Sequence, residues 1–230
     1  MYRVVILLLL SPAHAQLNLD KACNFTGLRT TSFDVSTIAG RWYQLERIEN
    51  TFESGDCSTT TFTVILSSQI LSGLEFSSRE VAGGKLVYRN ASVSLSSTSS
   101  SIFGVLNFTF TGGDSYDYLI MPVTYYEQQS MVLYSCQNTD GNTSSVWAWK
   151  LGKTQSPSPE LKIATEKLIA GVKDLSNATW RTTSFSETAC QVNGGVNLYI
   201  FSPFVMLIIV SVPVIRNREN GYKYLAARFT

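Results

Sequence analysis

Histidine is all but missing from this chain of 230 residues. Its one imidazole, His14, lies in a stretch that reads as a cleaved leader. A mature chain without imidazole has no Ser-His-Asp triad, no Cys-His pair and no histidine-ligated metal. Cysteine is scarce too. Cys23, Cys57, Cys136 and Cys190 stand far apart, with no C-x-x-C spacing of the zinc or thioredoxin kind. Charged residues make up only 15% of the chain, with a formal net charge of +1. They form no basic stripe interleaved with aromatics, so nucleic acid is not an expected partner. We expect no catalytic residue, no metal and no cofactor.

Long apolar runs are also rare, and both lie at the chain ends. Residues 1–15 have the layout of a secretory signal: Arg3, an apolar run from Val4 to Leu10, then Ala13-His14-Ala15 as an A-x-A cleavage site. That run is too short to span about 30 Å of hydrocarbon. At the other end, no charge occurs between Glu187 and Arg216, and Leu198–Ile215 is nearly all apolar, with Pro203 and Pro213 inside it. At about 1.5 Å per residue this stretch just spans a thin bilayer. Arg216 and Arg218 follow it, as at a cytoplasmic end. Alternatively, Asn193-Gly194-Gly195 is the small-residue site of a glycolipid (GPI) anchor whose apolar tail is removed. The polar extension Arg216–Thr230 is unlike such signals, which end in the tail itself. A third reading gives the tail no role. The expected organisation is a leader (1–15), one domain (16–195), an anchor segment (196–215) and a polar tail (216–230).

The central 180 residues or so are enough for one domain with a substantial core. They carry 16 acidic and 13 basic residues, a net charge of −3. Five sequons, at Asn24, Asn90, Asn107, Asn142 and Asn177, point with the leader to a glycosylated secreted protein. In an oxidising compartment the four cysteines imply two disulfides, and the sequence leaves all three pairings open.

Most of the domain reads as strand. An apolar-polar stretch at Trp42–Ile48 is followed by Ser58–Ser67, Ile70–Ser78, Lys85–Leu95, Ile102–Thr111, Tyr116–Thr124, Met131–Cys136 and Ser145–Leu151. Turn chemistry separates them at Gly83-Gly84, Ser96–Ser101, Gly112-Gly113-Asp114, Glu127–Ser130 and Asp140-Gly141-Asn142. Eight strands at this spacing suit an up-and-down antiparallel barrel or a sandwich, which pattern alone does not separate. One helix follows, with Ser158 as N-cap, Pro159 at the first position and Glu160 in the first turn. Its apolar stripe is Leu161, Ala164, Leu168, Val172 and Leu175. Thr179–Ser186 then reads as a short returning strand.

Gly40-Arg41-Trp42-Tyr43 heads the first strand, with Phe33-Asp34-Val35 before it and Asn50-Thr51-Phe52-Glu53-x-Gly55-x-Cys57 after it. This block resembles the first sequence block of the lipocalins, in the apolipoprotein D and insect lazarillo branch. Met131-Val132-Leu133-Tyr134-Ser135-Cys136 resembles that branch's seventh strand. Two departures stand out. Thr124-Tyr125-Tyr126 lacks the aspartate of the family's second block. Lys153 stands where the third block has an arginine stacked on the motif tryptophan, and it keeps a cation–π contact without planar stacking.

The resemblance implies an all-β fold: an eight-stranded up-and-down antiparallel barrel with one C-terminal helix packed outside. Gly40 would turn the chain into the first strand and Trp42 would plug the closed end. The implied disulfides are Cys23–Cys136 and Cys57–Cys190, each closing a loop of over a hundred residues. Strand alternation then sorts the faces. With Asn107 outward, Leu106, Phe108 and Phe110 turn inward. With Asn90 outward, Val87, Arg89, Ala91 and Val93 do so, and Phe62 and Val64 form the bulkier face of their strand. Trp147, Trp149 and Leu151 share a face opposite Lys150. The expected ligand-binding residues are Phe62, Val64, Arg89, Leu106, Phe108, Phe110, Trp147 and Trp149, with Tyr118 at the rim. Either Arg89 or Tyr118 would supply the polar contact. An eight-stranded barrel is just wide enough to be filled by its own rings or to hold one ligand, and the resemblance favours a cavity.

The implied function is an extracellular carrier of a fatty acid, sterol, retinoid or bilin-like pigment, tethered to a membrane through the C-terminal segment. A lazarillo-like surface recognition glycoprotein, its protein receptor unidentified, is the second reading. A lipid-modifying isomerase is the third and weakest, because the thiol-dependent type needs a free cysteine.

Overall fold

The computed structural model describes residues 16–25, 28, 35–68, 70–95 and 104–193. The expected leader, Phe33-Asp34 of the first block, the serine-rich turn Ser96–Ser101, the anchor segment and the polar tail lie outside the described residues. Of the two units into which the chain divides, Met1–Gly194 and Gly195–Thr230, only the first holds described residues.

All eight expected strands are present, and they close into a barrel rather than stacking as a sandwich. After a short β1 (Leu17–Leu19) come β2 (Gly40–Ile48), β3 (Asp56–Ser67), β4 (Ile70–Ala82), β5 (Lys85–Leu95), β6 (Val105–Phe110), β7 (Ser115–Tyr125), β8 (Gln128–Asn138) and β9 (Ser144–Gly152). From β2 to β9 each strand pairs antiparallel with the next. β2 then closes on β9, with Tyr43 opposite Gly152 and Arg47 opposite Trp149. Closure removes the open edges that a flat sheet would expose. β1 adds to the outside of β9, and β10 (Trp180–Thr182) to β2. The returning strand is shorter than the expected Thr179–Ser186, and β1 is too short to show a period.

A bulge between Gln44 and Glu46 breaks the alternation of β2. Gln44 and Arg47 therefore bond to the loop that folds into the barrel mouth, while Glu46 pairs with Lys150 on the outer face. One extra residue re-aims a strand in this way without ending the ladder.

At the closed end Trp42 is 2% exposed and donates its Nε1–H to the Ile38 carbonyl (2.7 Å), on the 3-10 turn Val35–Ile38. Lys153 Nζ lies 3.9 Å from the Trp42 ring centroid and donates to the Ala39 carbonyl (2.7 Å). The lysine thus fills the arginine's place, and burial pulls its pKa down. Gly40 has φ +87°, a backbone region open to glycine at no steric cost, which is why the motif begins with one.

The helix α1 (Pro159–Ala170) starts as its cap residues imply, Ser158 accepting from Leu161 N–H at 3.3 Å. It buries Leu161, Thr165 and Ile169 against β7 and β8. Val172 and Leu175, from the expected stripe, lie past its end but stay buried in the same outer layer. Helix and chain ends together cover one flank of the barrel, so β9 is buried on both faces. Lys150 crosses that layer, bonded to Glu46 and Glu166 (2.6 Å each) beneath the Trp180 ring. The disulfides are Cys23–Cys136 and Cys57–Cys190, and they take all four cysteines.

Replacing Trp42 with Ala removes a fully buried plug and is expected to cost about 3–5 kcal/mol. Ile163→Ala, at an exposed helix position, is expected to cost under about 0.5 kcal/mol. Urea unfolding of the two variants beside the parent measures both.

Candidate ligand-binding site

The inward faces carry an unbroken stack of rings. Phe62, Phe76 and Phe108 meet edge to face with centroids 5.1–6.2 Å apart. Phe108 lies 4.4 Å from Tyr118, and Tyr118 5.7 Å from Trp149. Such spacings are those of attractive aromatic pairs. Phe62, Phe108, Leu106 and Ile120 are 3% exposed or less. The lower barrel is therefore filled.

The mouth is closed by the loop between β2 and β3. Asn50 organises it, its Oδ1 accepting from the Phe52 and Glu53 amides (3.2 and 2.8 Å). The turn drops Phe52 against Trp147 and Trp149 and sends Glu53 into the barrel. There Glu53 Oε2 accepts from Trp149 Nε1 (2.6 Å) and Gln44 Nε2 (3.4 Å), while Oε1 pairs with Arg89 Nη1 (3.1 Å). Arg89 also faces Glu80 (3.7 Å) and lies over the Phe52 ring (5.2 Å). The loop's far end is fixed. Gly55 N–H donates to Glu80 Oε2 (2.8 Å), and its carbonyl accepts from Arg47 and Arg181 (2.9 Å each). A Cβ there would meet the Val81 carbonyl oxygen at 2.4 Å, so only glycine fits. Burial pulls the Arg47 pKa down, opposed first by Glu53.

Two spaces remain. Beneath Phe52 and Glu53, among Phe76, Leu133 and Trp149, about 20 Å³ is left, room for about one water. Above, at the mouth, a pocket of about 420 Å³ lies between Phe52, Tyr88, Arg89, Phe110, Tyr116 and Tyr118. Of the residues expected to bind ligand, Arg89, Phe110 and Tyr118 line the mouth pocket and Trp149 the space below it. Phe62, Val64, Leu106 and Phe108 belong to the packed interior, and Trp147 packs beside the mouth against Phe52 and Tyr116. Tyr118 is not a rim residue. It is 6% exposed because a ring follows it on either side. Among the expected sequon positions, Asn24, Asn90, Asn142 and Asn177 are exposed, and Asn107 is half-buried in a network with Asp117 and Ser115.

The sequence did not mark Phe52 or Glu53 as site residues. Their partners are remote in the chain, Trp149 lying 96 residues from Glu53. Trp147 Nε1 is buried without a hydrogen-bond partner among the described residues, a donor that nothing local announces.

No family model matches the chain, and no curated protein matches it. Solved structures do. The chain resembles insecticyanin from the tobacco hornworm Manduca sexta (TM-score 0.65, 17% identity, 78% of this chain and 94% of that one). It also resembles H1 crustacyanin from the lobster Homarus americanus (0.57, 16%, 76% and 93%). A third is the cockroach allergen Per a 4 (0.52, 16%, 72% and 97%). The protein has the lipocalin fold. At such identities the likeness carries the fold alone, and the apolipoprotein D and lazarillo branch stays a reading of the sequence blocks.

Burial is the main cause that pushes the Tyr118 phenol well above its ordinary range, with Glu53 adding to it. Burial does the same for Tyr134, whose hydroxyl donates to Asp174 Oδ2 (2.9 Å). A phenol whose folded pKa is raised stabilises the fold below its unfolded pKa, about 10, and loses that contribution as pH rises beyond it. Above about pH 10 we expect stability to fall by about 1.4 kcal/mol per pH unit for each such phenol. An absorbance titration at alkaline pH should show Tyr118 and Tyr134 ionising only with unfolding, the amplitude of that step falling in Tyr118→Phe and Tyr134→Phe. Ionisation of these two phenols while the protein stays folded would refute it.

Proposed function

We propose that this protein is a non-catalytic extracellular carrier that takes a small hydrophobic ligand at the open end of its barrel. One observation carries the reading: the barrel is plugged by an indole at one end and holds, at the other, a pocket walled by aromatic rings with Arg89, Asn90, Thr111 and Asp114 among them. Pockets of this size and lining suit small apolar molecules held by one or two oriented polar contacts. Fatty acids, sterols, retinoids and bilin-like pigments are the candidate classes. The lipocalin resemblance supports the role, and the paired cysteines support an oxidising, secreted setting. They also leave no thiol for isomerase chemistry of the cysteine-dependent kind.

A cell-surface setting, as in the lazarillo-like reading, rests on the uncharged run Leu198–Ile215 and on the sequons. Among the described residues no helix is long and apolar enough to cross a membrane, so tethering rests on the sequence alone.

Trp147 and Trp149 lie beside the pocket and report on its occupancy. Titrating the enzymatically deglycosylated protein with retinol and with arachidonate is expected to give saturable tryptophan quenching; linear, unsaturable quenching by both overturns the carrier reading. Treating cells that express the full chain with a phosphatidylinositol-cleaving phospholipase is expected to release a glycolipid-anchored form and to leave a spanning one in place.

A further inference from the structure

The loop that closes the barrel carries its own counterfeit ligand. Three donors on three different strands converge on one carboxylate: Trp149 Nε1 from β9, Gln44 Nε2 from β2 and Arg89 Nη1 from β5. An indole N–H and a guanidinium only donate, so the complement of this cradle is an acceptor, and Arg89 makes it an anionic one. The carboxylate present, Glu53, comes from a loop, whereas all three donors sit on barrel strands. Groups on strands keep their geometry when a loop moves. Beside the carboxylate, Phe52 lays its ring on Trp147 and Trp149. An apolar group and a carboxylate, linked by a few bonds, thus occupy the mouth together.

We propose that Gln44, Arg89 and Trp149 form the receptor for the carboxylate of an apolar carboxylic acid, and that Phe52-Glu53 is a tethered occupant which such a ligand displaces. This rests on the carrier reading and narrows its ligand class. An uncharged ligand can settle in the mouth pocket with Glu53 in place. A free acid cannot, because two carboxylates would share one guanidinium that already faces Glu80 at 3.7 Å. Displacement keeps the charge balance, exchanging one carboxylate for another. The loop backbone is held at Gly55 and, through the Glu53 carbonyl, by Arg47 (3.2 Å), so displacement is a swing of the Phe52 and Glu53 side chains. A tethered competitor acts at a high effective concentration, so the resident carboxylate weakens binding of free acid considerably.

The test compares retinoic acid with methyl retinoate by tryptophan quenching, in the parent protein and in Glu53→Gln, Arg89→Gln and the double variant. Thermal unfolding of each verifies the fold. Glu53→Gln keeps the side-chain shape and removes the competing charge, so the acid is expected to bind on the order of tenfold tighter and the ester about as before. Arg89→Gln is expected to weaken the acid and spare the ester, and the double variant to lose the gain. Equal gains for acid and ester in Glu53→Gln would make the loop a steric cover only and overturn the receptor, leaving the carrier reading intact. An unchanged acid affinity in that variant would do the same. Failure of both ligands to bind any folded variant would overturn the receptor and the carrier reading together.

Discussion

Closure of β2 onto β9 is the constraint from which the rest follows. Once Arg47 lies opposite Trp149 and Tyr43 opposite Gly152, every strand has an inside and an outside, and alternation decides what each residue meets. The inside receives the rings of Phe62, Phe76, Phe108 and Tyr118. The outside divides into a flank covered by α1 and the chain ends, and faces that carry sequons. The bulge in β2 is the local adjustment that lets one strand serve both layers, presenting Gln44 to the mouth loop and Glu46 to Lys150.

Filling the lower barrel has a functional meaning. Ring-to-ring contacts from Phe62 up to Trp149 leave no room along the axis, so the space that remains sits where the stack ends, under Phe52 and around Phe110 and Tyr116. Polar groups gather at that same level: Gln44, Glu53, Glu80 and Arg89 meet just where the apolar column stops. Buried polar groups are tolerated when they satisfy one another, and this cluster largely does so. The mouth therefore joins apolar wall and oriented charge within one short depth of barrel.

The fold was legible in the sequence because its cues are local. Strand alternation around Asn107 put Leu106, Phe108 and Phe110 on one face. The plug, and the barrel over the sandwich, came from the resemblance of the block around Gly40 and Trp42 to the lipocalins, and Ser158-Pro159 announced the helix. The site was legible only in part. Arg89 and Trp149 came from alternation, but Asn50-Thr51-Phe52-Glu53, part of the lipocalin-like block, gives no sign in sequence of folding inward. Tyr118 was placed at the rim because alternation gives a side chain's face and not its depth. β1 escaped notice for another reason, since three residues cannot display a period and its place is set by pairing with β9.

The crosslinks also decide how the protein would bear mechanical load. A pull on the chain beyond Cys190 passes through sulfur into Cys57 at the head of β3, bypassing β10, whose three-residue pairing with β2 would otherwise peel first. A pull on the N-terminal side meets β1 first, because Leu17–Leu19 precede Cys23, and only past that three-residue pairing does it enter β8 through sulfur at Cys136. Tension at either end is thus delivered to strands paired on both sides, where many hydrogen bonds must shear together before the barrel yields.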